Sequence, residues 1–280
     1  MNTHQSTVAR RVEVLEGRLG YNVLSRTSEG FTLTDAGRTL APMALKIEGM
    51  LLSFERDAAL LGGGRINSVT LQAPEGLGTH WVSKRYEQQK TELRGVSVNL
   101  ICSDVLPDFE TSTVDMSIQY APATNSNHSQ IILAYLEIMP HASPDYIAEH
   151  GVPRTVADLS KHKIIAQIGP HDSPDIWEAA FGADELANTL PPIALYTNSG
   201  SAQYYAIKAS LGIGGLPTYG VSVDANLVPI DIGVSQQVPI YLVYRQDQIR
   251  DQAAFNKTFR WAKQIFDNPK YPFFKDAHSE

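Results

Sequence analysis

The sequence contains a single cysteine, Cys102, in 280 residues. One cysteine cannot form an internal disulfide, and the spacing of cysteine and histidine that zinc sites need is absent. We therefore predict no bound metal, and we expect Cys102 to be a small buried hydrophobic residue rather than a redox centre. The sequence also lacks a run of eighteen apolar residues, and its N-terminus lacks the apolar stretch of a secretory signal. These absences predict a cytoplasmic protein that does not interact with membranes.

The patterns of several enzyme classes are absent as well. The eight histidines form no HExxH pattern, and no serine occupies a nucleophile elbow. The segment Gly212-Ile213-Gly214 lacks the third glycine of the dinucleotide fingerprint and follows a predicted helix instead of a strand. We predict neither catalysis nor a bound cofactor.

Charge is distributed unevenly along a chain of ordinary globular composition, with 43% hydrophobic and 19% charged residues. The formal net charge is −7, but residues 1–40 carry five basic and four acidic side chains. The excess of acidic residues therefore lies entirely in the rest of the chain. Any contact with DNA is expected at the N-terminal end.

The N-terminal region has the pattern of a helix followed by a small hairpin. Val8, Val12, Leu15 and Leu19 repeat with the period of a helix over residues 4–19, and Gly20 can end it. Two short strands are predicted at residues 23–24 and 31–33, with a turn at residues 26–30 between them. This order is typical of a winged helix.

A second, longer helix is predicted from Thr34 to about Leu61. Apolar residues spaced alternately by four and three form a heptad seam along it: Leu40, Ala44, Ile47, Leu51, Phe54 and Ala58. The seam predicts a dimer interface; the alternative is a helix that packs on its own domain. The three glycines at 62–64 then break the helix and mark a domain boundary. Beyond them, strands and helices alternate, which predicts an α/β domain with a largely parallel sheet.

Several spaced elements of this chain resemble the LysR-type transcriptional regulators. The elements are Gln5–Val12, Leu15-Glu16, Leu19-Gly20, Leu24-Ser25-Arg26, Leu33–Gly37, Ala142–Ile147, Gly151 with Pro153, Asp158-Leu159 and Gly212–Pro217. The resemblance covers almost the whole chain and is most specific in residues 5–37. It implies a partial winged helix-turn-helix domain at 1–37, a dimerising linker helix and hinge at 38–64, and an effector-binding domain at 65–280. That domain would resemble periplasmic binding proteins of type 2, with lobe one at 66–136 and 239–268 and lobe two at 137–238.

The resemblance makes the first helix a DNA-recognition helix. The candidate DNA contacts are Gln5, Ser6, Thr7, Arg10 and Arg11 on this helix and Arg26 on the wing; the alternative for the arginines is a solvated helix face. The chain departs from the family in two ways. It begins close to the recognition helix, where the family has two earlier helices, and it carries Ala9 where a serine is usual. We therefore expect Val8, Val12 and Leu15 to be exposed or repacked.

The resemblance places a small-molecule site in the cleft between the two lobes, where strand ends and helix N-termini meet. The residues expected there are Gly76, Gly78, Thr79, Ser103, Gln167, Asn198, Ser199 and Gly200. Backbone N–H groups and hydroxyls at such positions suit an anion, although the same residues also serve as plain helix caps. The expected effector is a small carboxylate or an aromatic metabolite.

The sequence therefore predicts a homodimeric or homotetrameric regulator that binds double-stranded DNA and responds to a small-molecule effector. The alternative is a cytoplasmic small-molecule-binding module that has lost DNA binding with the missing helices.

Overall fold

The computed structural model describes residues 5–27, 30–61, 67–88, 91–167, 177, 192–223, 226–245, 253–267, 271 and 273–275. By its internal contacts the chain forms two units, Met1–Gly64 with Glu110–Thr113, and Arg65–Phe109 with Val114–Glu280. The predicted glycine hinge at 62–64 lies outside the described residues.

The first unit has the predicted order of a helix, a hairpin and a second helix. Helix α1 covers Gln5–Leu19, strands β1 (Leu24–Thr27) and β2 (Gly30–Leu33) pair antiparallel, and helix α2 covers Asp35–Leu61. The first strand extends through Arg26 and Thr27, which the sequence prediction had placed in the turn. Pairing of Arg26 with Phe31 and of Thr27 with Gly30 makes the hairpin longer than predicted.

Short polar contacts hold these elements together. The carboxylate of Glu16 accepts hydrogen bonds from the backbone N–H groups of Val23 (2.7 Å) and Leu24 (3.0 Å), which ties α1 to the hairpin. At the start of α2 the Thr34 hydroxyl accepts from the N–H of Gly37 at 3.0 Å, as an N-terminal cap does. A Cβ at Gly37 would lie 2.1 Å from the carbonyl oxygen of Val23, so only glycine allows this close approach.

The second unit is built on one continuous sheet with the strand order β4-β3-β5-β11-β6-β9-β7-β8. Its strands are β3 (Ser68–Ala73), β4 (Ser97–Cys102), β5 (Met116–Gln119), β6 (His128–Ala142), β7 (Ile164–Gln167), β8 (Ile193–Thr197), β9 (Ile213–Pro217), β10 (Val228–Pro229), β11 (Gln236–Arg245) and β12 (Phe274–Lys275). Its helices are α3 (Glu75–Leu77), a π-helical segment (Gly78–Val82), α4 (Ser83–Gln88), α5 (Pro144–His150), α6 (Gly200–Lys208) and α7 (Ala253–Gln264), with 3₁₀ turns at Val156–Lys161 and Thr218–Ser222.

The sheet consists of two parallel groups joined by antiparallel strands. Strands β4, β3 and β5 are parallel and form lobe one, while β9, β7 and β8 are parallel and form lobe two. Between them β11 and β6 pair antiparallel over ten residues of β11. The prediction of a largely parallel sheet is correct within each lobe and wrong at the junction.

Strand β6 is 15 residues long and runs through both lobes. Its first part pairs with β11, and Ile138–His141 pairs with β9. The predicted lobe boundaries at 136/137 and 238/239 therefore fall inside β6 and β11. Pro140 and Pro239 concealed this continuity, because proline in a strand pattern indicates an end or an edge.

The core of the second unit includes residues of the C-terminal tail. Trp81 is fully buried, and its ring lies 4.8 Å from that of Phe274 and 5.2 Å from that of Tyr271. Its indole N–H donates to the carbonyl of Ile265 at 3.0 Å. Tyr271 and Phe274 follow the last helix, and their aromatic side chains are buried.

Helix α6 ends at Lys208, and Ser210 (φ 63°) takes the left-handed conformation that follows it. The prediction that Cys102 is buried is wrong. Cys102 is exposed, although its Sγ packs on the backbone of Gly78. Its position at the end of β4, where lobe one opens, accounts for the exposure.

Candidate functional site

Two helix N-termini, one from each lobe, meet across the cleft. Helix α3 follows β3 in lobe one, and α6 follows β8 in lobe two. A Cβ added at Gly200 would lie 3.2 Å from the Cα of Gly76, and one added at Gly76 would lie 3.4 Å from the Cα of Gly200. The absence of both side chains therefore allows the two backbones to touch.

A network of hydrogen bonds crosses the cleft at this contact. One carboxylate oxygen of Glu75, Oε2, accepts from the Ser199 hydroxyl (3.1 Å) and the Ser201 backbone N–H (3.0 Å). The other, Oε1, accepts from the Ser201 hydroxyl at 2.6 Å. The Glu75 carboxylate thus occupies the N-terminus of α6, where the backbone N–H groups and the helix dipole favour negative charge.

His80 completes this network from the lobe-one side. Its Nε2 lies 3.0 Å from the hydroxyl oxygen of Ser201. Because the single hydroxyl proton of Ser201 is donated to Glu75, Ser201 accepts from His80, and Nε2 must carry a proton. Burial lowers the pKa of His80, and the nearby charge of Glu75 partly opposes this. The ring is therefore the neutral Nε2–H tautomer at pH 7.

The carboxyl of Glu75 is held in its ionised form. Burial alone would raise its pKa, but the hydrogen bonds from Ser201 and Ser199 and the proximity of His80 outweigh that effect and lower it. Asp104 lies nearby and accepts the backbone N–H of Glu75 at 3.1 Å. Burial raises the pKa of Asp104, and the negative charge of Glu75 adds to the increase.

Beside this network the cleft contains a cavity of about 800 Å³, part of it open to solvent. A concave site between two lobes, with apolar walls and a few polar groups, is the usual setting for a small organic ligand. Both lobes line it: Pro74, Gly76, Leu77, His80, Asp104 and Tyr120 come from lobe one, and Gln167, Gly200, Gln203, Tyr204, Leu216, Tyr219 and Val223 from lobe two. Tyr219 is buried, and burial raises the pKa of its hydroxyl well above the usual value. This hydroxyl is therefore a neutral hydrogen-bond donor at physiological pH.

A second cavity, of about 670 Å³, lies within lobe one. It shares Pro74, Asp104 and Tyr120 with the first, and Ser103 contributes to its wall. No described residue of lobe two lines it, so a ligand held by these residues would not bridge the lobes.

In the first unit, the described candidate DNA contacts are exposed. Thr7, Arg10 and Arg11 are exposed on α1, and Arg26 is exposed on β1. Gln5 and Ser6 begin α1, but their side chains lie outside the described residues. Val8 and Leu15 are 49% and 47% exposed, as expected, whereas Val12 and Leu19 of the same apolar stripe are half-buried.

The predicted seam of α2 is also exposed. Ile47, Leu51 and Phe54 are 66%, 56% and 68% exposed, Ala44 is exposed, and Leu40 is half-buried. Three large apolar side chains exposed along one seam form a larger apolar surface than scattered surface residues normally produce. The side chain of Ala58 lies outside the described residues. None of the described helices is long and apolar enough to cross a bilayer.

Residues 62–264 match a family model described as the LysR substrate binding domain. This chain belongs to that family. The match covers both lobes of the second unit and therefore contains the whole cleft.

Relatives of this LysR chain include an HTH-type transcriptional regulator of Xanthomonas campestris pv. campestris (strain 8004). It is 25% identical over 212 residues, which cover 75% of this chain and 61% of the relative. The chain thus spans less than two thirds of that protein's length. Among solved structures, the LysR family transcriptional regulator CbnR superposes with a TM-score of 0.63 at 14% identity, covering 95% of this chain and 91% of that one. Full-length CbnR complexed with its target DNA gives a TM-score of 0.60 at 16% identity, covering 94% and 91%. These similarities confirm the predicted fold.

The cleft brings together some of the LysR site residues predicted from sequence. Gly76, Gln167 and Gly200 line the cavity between the lobes, and Ser199 binds Glu75 at its edge. Ser103 lines only the second cavity. Asn198 is exposed and does not line the described part of either cavity.

Two of the predicted anion-binding residues lie further along the helix than expected. The N–H of Gly78 already donates to the carbonyl of Pro74 at 2.7 Å, so it is not free for a ligand. Thr79 is exposed within the π-helical segment. Helix α3 begins at Glu75, so the N–H groups that have no partner within the helix precede Gly78, and that of Glu75 donates to Asp104.

The sequence prediction missed Glu75, His80, Tyr120, Tyr204 and Tyr219 as parts of the site. The contact of Glu75 with Ser201 joins residues 126 positions apart, which no local pattern indicates. A detectable signal for Tyr219 was its place two residues after Pro217, which ends strand β9.

We expect Glu75→Gln to lower the free energy of unfolding of the second unit by about 1 kcal/mol at pH 7. This cost is smaller than that of losing a fully buried charged hydrogen bond, because the cleft is partly solvated. Because the folded-state pKa of Glu75 is lowered, its contribution is present above the ordinary glutamate value of about 4.3 and is lost as the pH falls through the folded value. Thermal unfolding of both proteins between pH 3 and pH 8 measures this. A constant difference across that range would contradict the prediction, and Glu149→Gln, on exposed α5, is the control.

Proposed function

We propose that this protein is a LysR-type transcriptional regulator whose activity is modulated by a small molecule bound between its lobes. The observation that carries the proposal is the cavity lined by both lobes, because a ligand there favours one lobe arrangement over another. The family match and the regulator names of the relatives support regulation as the output rather than catalysis. Turnover of a small metabolite by the purified protein would contradict it.

The first unit is proposed to bind double-stranded DNA. Arg10 and Arg11 on α1 would meet base edges or phosphates of the major groove, and Arg26 on the hairpin would meet phosphate or the minor groove. Thr7, with Gln5 and Ser6 before it, would contact bases or phosphates at the same end of α1. The solved complex of CbnR with its target DNA supports this assignment for the fold.

The exposed seam of α2 is proposed to form the dimer interface, and tetramers would add a second kind of contact. A dimer would read two half-sites about one helical turn, or a multiple of it, apart. We further propose that the protein works in the cytoplasm, where its DNA target lies.

A gel-shift experiment tests DNA binding. The probe is the DNA upstream of the protein's own gene, carrying a dyad, and the competitor is a scrambled duplex. We expect sequence-selective binding that weakens as salt rises, and a loss of about tenfold or more in affinity for Arg10→Ala. Arg154→Ala, which removes an exposed arginine from the second unit, is the matched control and should bind as the wild type does.

Two outcomes would contradict the proposal. If Arg10→Ala binds the DNA probe with the affinity of the wild type, Arg10 does not contact the DNA. No selective binding at low salt would favour the alternative function, a cytoplasmic small-molecule-binding module without DNA binding. The alternative is considered because the apolar side chains of Val8 and Leu15 on the proposed recognition helix are exposed.

A further inference from the structure

The anion site at the start of α6 is already occupied by a residue of this protein. All three donors that converge there, the hydroxyls of Ser199 and Ser201 and the backbone N–H of Ser201, donate to the Glu75 carboxylate. Glu75 comes from the opposite lobe, so its carboxylate reaches the site as a ligand from across the cleft would. A carboxylate of a bound effector would have to displace Glu75 to use the same donors.

The charges around the cavity also disfavour an anion. Asp104 lines the cavity, and Glu75 lies between two lining residues, Pro74 and Gly76. No lysine or arginine is among the described residues that line it. A ligand carboxylate would therefore approach two acidic groups, with no lysine or arginine among the described lining residues to offset them, and such repulsion is strong in a partly buried site.

The remaining lining is suited to a ring. Leu136, Ile138, Leu216 and Val223 supply apolar surface, and Tyr204 and Tyr219 supply aromatic surface. The Tyr219 hydroxyl and the Gln203 side chain offer neutral hydrogen-bonding groups, and Asp104 offers an acceptor for a ligand N–H or O–H. This combination matches an uncharged or positively charged molecule with a ring and a few polar atoms.

We propose that Glu75 is a built-in carboxylate that fills the anion site of the cleft, and that the effector is consequently an uncharged or cationic ring compound and not a carboxylate. The inference rests on the proposed function only in taking this cleft as the effector site. It narrows the expectation from sequence, which had included small carboxylates.

Matched probes of one size and three charges test this selectivity. Benzoate, benzamide and benzylamine are titrated into the full chain at pH 7 without DNA, with binding followed by ligand-observed NMR and calorimetry. The wild type is expected to bind benzamide and benzylamine at least about tenfold more tightly than benzoate. In Glu75→Ala the anion site is vacated, so affinity for benzoate should rise by about tenfold or more while affinity for benzylamine falls.

The control is Glu149→Ala, which removes an exposed carboxylate from α5 and should keep the wild-type order. A cooperative thermal transition in Glu75→Ala verifies that the variant is folded. Glu75→Gln supplies a second folded variant, because its amide can still occupy the site and should gain less benzoate affinity than alanine.

Benzoate binding to the wild type as tight as that of benzamide would overturn the inference. The absence of any gain in benzoate binding in folded Glu75→Ala would overturn it equally. Because binding is measured without DNA, these results are independent of the gel shift. If the protein fails to bind DNA but prefers benzamide and benzylamine to benzoate, the proposed function is contradicted and the inference about the effector still holds.

Discussion

Ile47→Asp is expected to raise the dimer dissociation constant by at least about a hundredfold, because a carboxylate cannot be buried unpaired in an apolar seam without a large desolvation cost. Ile47 lies between Ala44 and Leu51 in the heptad pattern and is 66% exposed within one chain. If α2 pairs with its counterpart in a second chain, the substitution places two carboxylates near each other at the centre of the contact. Loss of dimers should also remove binding to a two-half-site DNA probe.

Sedimentation velocity across micromolar concentrations measures this change. Thr39→Asp is the matched control, because it introduces the same charge on an exposed position of α2 outside the seam and near the helix N-terminus, where a carboxylate is tolerated. Equal association states for wild type and Ile47→Asp would mean that α2 packs on its own domain, the alternative considered from the sequence.

Trp81→Ala is expected to destabilise the second unit by about 3–5 kcal/mol, the usual cost of removing a large buried aromatic side chain. The ring of Trp81 is fully buried and contacts those of Tyr219, Tyr271 and Phe274, and its N–H donates to Ile265. The variant would leave a cavity between the π-helical segment of lobe one and the C-terminal tail. It would also leave the carbonyl of Ile265 without this donor.

Urea unfolding monitored by far-UV circular dichroism gives the free energy of unfolding. Tyr196→Ala is the control, since its exposed side chain on β8 should cost less than about 1 kcal/mol. A cost below about 1 kcal/mol for Trp81→Ala would contradict the packing of the tail against this residue.

The features predicted correctly from sequence are those encoded by neighbouring residues. The period of Val8, Val12, Leu15 and Leu19 marks α1, and the heptad spacing from Leu40 to Phe54 marks α2. Such signals act within one or two turns of chain. They also sufficed for the order of strands and helices and hence for the two-lobed fold.

The features that were missed depend on distant contacts. The length of β6 depends on pairing with β11, about a hundred residues away, and that partner outweighs the local effect of Pro140. The burial of Phe274 depends on Trp81 and Phe266. In the cleft, the positions of the helix N-termini in the sequence correctly predicted that Gly76 and Gly200 line the cavity. The contact between Glu75 and Ser201 is visible only in the folded chain.

The continuous pair β6 and β11 restricts how the lobes can move. A backbone hydrogen-bonded along ten residues resists bending in the plane of the ladder, whereas twisting about the strand direction leaves its hydrogen bonds intact. The register irregularity at Ile240/Tyr241 is the point where this ribbon yields most easily. Binding of a ligand in the cavity should therefore rotate one half of the sheet slightly against the other. Amide hydrogen exchange should change first at Ile240 and Tyr241 and only then in the two lobes.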